Sequence, residues 1–260
     1  MIDVPIVPAA DAAWQGLRAL TPARIGLPRS GAALATTAVL DLRLAHARAR
    51  DAVHDALDGE AMARQLQALG LETLCIRSRA ADRRTYLMRP DAGRQPDADA
   101  AAQLARHRGR YDLAIVVADG LSARAVHAHA SALVRDVLPP LRDAGWRVAP
   151  AVVVRHGRVA IGDAIAASLG ADAVAVLVGE RPGLSAADSL GVYLTWRPDA
   201  RTTDASRNCI SNVRPAGLSC AAAALKLVHL LRAMRARGMS GVALKDESEA
   251  ARPLPDEERA

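Results

Sequence analysis

The feature that most constrains this chain is a rhythm between residues 111 and 180. Three continuous apolar runs, YDLAIVVADG, WRVAPAVVVRHG and ADAVAVLVGE, are separated by segments of helical character. A strand that is apolar without alternation needs cover on both faces. Strands alternating with helices predict βαβ units and a parallel sheet. The first intervening segment, SARAVHAHASALVRDVLPPLRDAG, is expected to break or restart at Pro139-Pro140. The second, AIGDAIAASLG, is closed by Gly170. GVYLTW reads as an edge strand, and SCAAAALKLVHLLRAMRARG as a long helix ending at Gly238. The expected fold class is α/β: a parallel-sheet domain over residues 98–245, preceded by a smaller, mainly helical region over residues 1–97.

In that first region DAAWQGLRAL predicts a short amphipathic helix, and TPARIGLPRSGAAL a loop. TTAVLDLRLAHARARDAVHDAL predicts a strong helix, with Val39, Leu42, Ala49 and Val53 at helical spacing and Thr36 or Thr37 as its cap. GEAMARQLQAL is a second helix, ending at Gly70. TLCIRS and TYLM are β-prone and predict a small strand pair or extended connector; DADAAAQLARHR then opens the second domain as a helix. Residues 246–260, DESEAARPLPDEERA, form a charged tail expected to be disordered.

An apolar fraction of 51% over 260 residues supplies a real core, while an aromatic share of 2% makes that core aliphatic. So few aromatic rings argue against single-stranded nucleic acid, which is gripped by stacking. The formal charge of +6 comes from Arg interleaved with acids, and no helix carries a dense basic stripe, so a nucleic-acid module ranks behind other readings. Cys75, Cys209 and Cys220 are an odd, widely spaced set, so neither a disulfide framework nor a CxxC zinc site is expected. No apolar stretch approaches the roughly 20 residues that span a bilayer. The first twenty residues have no secretory pattern, which points to a cytoplasmic protein.

Ligands of open parallel sheets bind beyond the carboxyl ends of the strands. Three polar turns, ADGLS, VRHGRV and VGERPGL, are therefore expected at one edge. Glu180 ends the most apolar strand there. It reads either as a ligand-facing acid or as a strand-end carboxylate paired with Arg181 or capping a helix. Cys209, in the polar segment RNCISN, reads as a nucleophile served by His156 or His229, as a packing residue, or as a ligand contact. Asp119-Gly120 reads as a strand-end turn. His46 and His54, like His127 and His129, lack the spacing of a helical metal pair. A stand-alone α/β oxidoreductase or nucleotide-binding protein is the alternative reading, but neither GxGxxG nor GxxxxGK[ST] is present.

Five segments, in order, carry a closer likeness: ARIGLPRSGAALATTAVLDLRLAHARARDAVH, YLMRPDAGR, VADGLSARAV, VVRHGRVAIGDAIAASLGADAVAVLVGERPGLSAADSLGVYLTWRP and CISNVRPAG. From about Thr21 to about Gly241 the chain resembles the small subunit of ethanolamine ammonia-lyase. The resemblance implies a Rossmann-like second domain and a hetero-oligomeric partner, the large subunit, which holds the substrate and the catalytic residues. It implies adenosylcobalamin between the two chains, used to convert ethanolamine to acetaldehyde and ammonia. The cobalamin contacts it carries over are Val159 in HGRV, Glu180 in VGERPG and Cys209 in CISN. The sequence has no D-x-H-x-x-G motif, so no histidine is expected to ligate the cobalt. Some family members carry a longer N-terminal extension that directs packaging into a bacterial microcompartment; about twenty residues precede the shared region here.

Overall fold

A computed structural model of the chain describes residues 9–199 and 201–248. A short helix, α1 (Ala9–Ala19), leads into a two-stranded hairpin, β1 (Arg29–Ser30) and β2 (Ala33–Leu34), within the segment expected to be a loop. Then follow α2 (Thr36–His54), α3 (Gly59–Ala68), β3 (Thr73–Arg77), α4 (Arg83–Met88) and α5 (Ala98–Arg106). The alternating part holds β4 (Tyr111–Ala118), α6 (Ala123–Asp143), β5 (Ala151–Arg155), α7 (Ile161–Leu169) and β6 (Ala171–Gly179). It closes with β7 (Leu190–Trp196), β8 (Arg207–Val213) and α8 (Cys220–Arg237). Residues 249–260 of the charged tail lie outside the described residues. At its start Asp246 and Glu247 pair with Lys226 and Arg237. Among the described residues no helix is long and apolar enough to cross a membrane.

The main sheet has six strands in the order β3-β5-β4-β6-β7-β8. The first four in that order are parallel, whereas β7 runs antiparallel to β6 and β8 antiparallel to β7. The sheet is therefore mixed where an all-parallel one was expected. The reason is the connection. No helix lies between β6 and β7, and without a crossover the chain returns antiparallel beside its predecessor. β7, expected as an edge strand, is consequently an interior strand, and the polar segment RNCISN lies in the edge strand β8.

Side-chain parity along β4 and β6 sorts the core into two layers. Leu113, Ile115, Val117 and Leu177 face α3, α6 and α8, whereas Ala114, Val116, Val174 and Val176 face α5 and α7. α6 runs unbroken through Pro139 and Pro140. Burial of Val134, Val137, Leu138 and Leu141 on the sheet offsets a proline penalty of about 3 kcal/mol. The TYLM segment is helical rather than extended. Asp82 caps α4 by accepting the Thr85 N–H at 2.7 Å, and Tyr86 is buried below it. Nor does a threonine side chain cap α2, whose N-cap is Ala35. β3, expected to pair locally, instead joins β5 in parallel and extends the main sheet.

Candidate cofactor-facing site

The three polar turns do gather at one edge. Gly120 adopts φ +54° and lies so close to the Gly179 carbonyl that a Cβ there would come within 2.3 Å of the oxygen. The Leu121 N–H donates to that same carbonyl at 2.9 Å, which ties the end of β4 to the end of β6. Asp119, read as a simple turn residue, is the hub that fixes the β5 turn. Only 2% exposed, it accepts the His156 N–H at 2.9 Å and the Gly157 N–H at 3.0 Å. Arg83 approaches it at 3.8 Å while donating to the Gly120 carbonyl at 2.7 Å and to the Val53 carbonyl at 2.6 Å. His156 sits in the left-handed region at φ 60°, a strained conformation that Asp119 holds from the N–H side and Ser78 from the carbonyl side, at 2.7 Å. This turn delivers Val159 to the start of α7.

Glu180 continues the parity of Val176 and Val178, so its side chain belongs to the α7 face of the sheet. Oε2 accepts the Ser189 hydroxyl and, at 3.2 Å, the Asn212 N–H. Asn212 is itself left-handed at φ 58°, a conformation Asn tolerates better than most residues. Neither Arg181 nor a helix end is the partner: among the described residues no ion pair joins Glu180 to Arg181. Its other oxygen, Oε1, lies over Gly191, where a Cβ would come within 2.9 Å of it. The carboxylate thus staples the ends of β6, β7 and β8 with one oxygen, while among the described residues no hydrogen bond reaches the other.

Cys209 lies directly opposite Tyr193, which lies opposite Val176. Opposed residues on neighbouring strands share a face, so Val176, Tyr193 and Cys209 form a row across the sheet. Val159 and Tyr193 both pack against the core layer beneath α7. α7 covers β4 and β6 and stops there. Beyond it the face of β7 and β8 is open, with Tyr193 half-buried and Cys209 exposed. Glu180 and Cys209 therefore flank the Tyr193 ring, while Val159 packs against the same core layer at the start of α7.

The far end of this open face is closed by an ion pair. Arg207 donates from Nη1 and Nη2 to the two carboxylate oxygens of Asp163, each at 2.7 Å, and from Nη1 to the Thr195 hydroxyl at 3.0 Å. Arg207 lies two residues before Cys209, and Asp163 one turn after Val159, so the pair ties β8 to α7.

The nucleophile reading of Cys209 does not survive this geometry. Partial burial first, then the Glu180 carboxylate, hold its thiol above the ordinary range, against an opposing pull from the Tyr193 hydroxyl. His156 follows β5, four strand spacings from β8, or about 19 Å. His229 belongs to α8, which packs on the opposite face. Burial, followed by the adjacent Cys209, pushes the Tyr193 phenol up to about 12, so it remains an O–H donor at neutral pH. Among the described residues no three His, Cys, Asp or Glu side chains are grouped to hold a metal ion.

Tyr193, Gly191, Arg207 and Asp163 were not singled out from the sequence. A signal was present: Gly191, Tyr193 and Thr195 share one parity in LGVYLTW, opposite the apolar Leu190, Val192 and Leu194.

The family model described as ethanolamine ammonia-lyase light chain (EutC) matches residues 11–245. The chain is 53% identical over 249 residues to the ethanolamine ammonia-lyase small subunit of Azotobacter vinelandii, covering 94% of this chain and 92% of that protein. It is 56% identical over 233 residues to the small subunit of Rhodopseudomonas palustris, covering 89% of each. A third relative, the small subunit of Xanthomonas campestris pv. campestris strain B100, is 52% identical over 257 residues, covering 97% of this chain and 93% of that protein. With a match over most of its length at this level of identity, the chain belongs to the ethanolamine ammonia-lyase light chain family.

Proposed function

We propose that this chain is the small subunit of an adenosylcobalamin-dependent ethanolamine ammonia-lyase, and that it holds one side of the cofactor against a large catalytic subunit. The observation that carries this reading is the open face of β7 and β8, where the Glu180 carboxylate and the Cys209 thiol flank the Tyr193 ring. Its chemistry fits the group. The rim of cobalamin carries amides, and its lower side carries a ribose hydroxyl, a phosphate and a benzimidazole. Glu180 Oε1, free of any partner among the described residues, accepts from an amide N–H or a ribose hydroxyl. Val159 offers apolar surface to a ring plane, and Cys209 a small, protonated thiol at the edge. Gly191 leaves room for the Glu180 carboxylate to lie over β7.

In this division of labour the chain's residues bind and orient. Asp119 fixes the turn before Val159, the Arg207–Asp163 pair sets α7 against β8, and Ser189 with Asn212 aims Glu180. When bound, adenosylcobalamin supplies the radical chemistry that no side chain here provides. The large subunit supplies the substrate pocket and its acid–base groups.

The test is to co-express the chain with a large subunit, purify the pair, and assay ammonia release from ethanolamine with and without adenosylcobalamin. The expected result is co-elution of both chains and release that depends on the cofactor, with neither chain active alone. Activity of this chain alone, or a stable pair that releases no ammonia with cofactor and ethanolamine, would overturn the proposal.

A further inference from the structure

We infer that Tyr193 is a fourth cofactor-binding residue of this chain, its ring forming the floor between Glu180 and Cys209, with Gly191 as the gap in which the Glu180 carboxylate lies beside it. The inference rests on the function proposed above and extends it to residues that the likeness to the family did not assign.

Tyr193 is the one half-buried side chain in the middle of β7; Val192 and Leu194 on either side of it are buried in the opposite layer. It opposes Val176 on one side and Cys209 on the other. A ring placed there presents a flat apolar surface and one hydroxyl, a combination suited to a large, mostly planar ligand with a polar rim. The hydroxyl stays protonated well past neutrality, so it donates to a carbonyl or phosphate oxygen, whereas Glu180 accepts. Donor and acceptor therefore stand on the same open face.

Gly191 supplies the second observation. A Cβ at this position would come within 2.9 Å of Glu180 Oε1, 3.1 Å of Glu180 Cγ and 3.3 Å of the Tyr193 ring. Glycine here is what lets the carboxylate lie down over β7 next to the phenol. A methyl group would lift both away from the sheet.

The experiment titrates adenosylcobalamin into the purified two-subunit complex, following the cofactor's absorbance, for wild type, Tyr193→Phe, Tyr193→Ala and Gly191→Ala, with a thermal melt of each. Loss of the ring should weaken binding about tenfold, and Tyr193→Phe should restore most of it. Gly191→Ala should weaken binding several-fold with a melting temperature close to wild type, because the atom it displaces is the far end of a flexible side chain. Wild type that binds cofactor while Tyr193→Ala and Gly191→Ala bind equally well would overturn this inference alone. Affinity losses that simply track lowered melting temperatures would assign Tyr193 a packing role and overturn the inference. A wild-type complex that binds no adenosylcobalamin would overturn the proposed function itself, and the role of Tyr193 with it.

Discussion

Arg207→Ala should destabilise the chain by about 3–5 kcal/mol, as expected when one partner of a buried ion pair is removed. The Arg207 side chain is 4% exposed and that of Asp163 15%, so water cannot replace the lost partner. The forked contact at 2.7 Å to both carboxylate oxygens would be broken, and the Thr195 hydroxyl would lose its donor too. Lysine should not rescue, since a point charge cannot make two parallel bonds. The pair need not add net stability over apolar residues, so Arg207→Met with Asp163→Leu should recover much of the loss. Urea unfolding of the three variants, followed by tryptophan fluorescence, measures this. A single Arg207→Ala variant within 1 kcal/mol of wild type would show that the α7–β8 tie carries no strain of desolvation. In the proposed function the same variant also lets Val159 and Cys209 drift apart.

Asp119→Ala should cost about 3 kcal/mol or more, because it leaves two buried backbone N–H groups without an acceptor and removes the counter-charge near Arg83. The donors are the His156 and Gly157 N–H groups, and Arg83 is the nearby cation at 3.8 Å. His156 also needs its left-handed backbone held in place, so the turn before Val159 should open first. Asp119→Asn keeps one acceptor and should cost less, about 1–3 kcal/mol. Hydrogen exchange at the Gly157 and Arg158 amides, measured beside urea unfolding, locates the effect. Unchanged exchange there with unchanged stability would mean that Arg83 and Ser78 hold the turn without Asp119.

Where the sequence was legible, one physical signal dominated its neighbourhood. β4, β5 and β6 are apolar on both parities and lie between helices, so burial alone identifies them. Gly170 and Gly238 terminate helices in the left-handed conformation that few other residues adopt cheaply. Legibility failed where the deciding partner is distant in sequence. RNCISN has too few apolar residues to read as a strand, because as an edge it buries only Ile210 and Val213 in the core. TYLM is β-prone by composition, yet Asp82 supplies a helix cap and Tyr86 lies between the guanidinium groups of Arg83 and Arg158, 4.7 and 4.5 Å from its ring centroid. Glu180 was legible as a strand-end acid. Its partners were not, since one is a serine nine residues on and the other a backbone N–H thirty-two residues away. Val159 and Cys209 came from family likeness, and the pairing of Cys209 with Tyr193 across β7 and β8 is set by a register no local pattern shows.

The measurement that tests the central claim most directly is an adenosylcobalamin titration of the purified two-subunit complex carrying wild-type Glu180, Glu180→Gln or Glu180→Ala, with a melt of each. Removing the acceptor should cost about 1.5–3 kcal/mol of binding, a tenfold to hundredfold loss of affinity. Glutamine should lose less, because its carbonyl still accepts. Loss of the staple to Ser189 and Asn212 should lower the melting temperature modestly in the Ala variant, and the affinity loss should exceed what that lowering explains. An Ala variant that binds adenosylcobalamin as wild type does, while melting well below it, would contradict the account and leave Glu180 as a staple between strands.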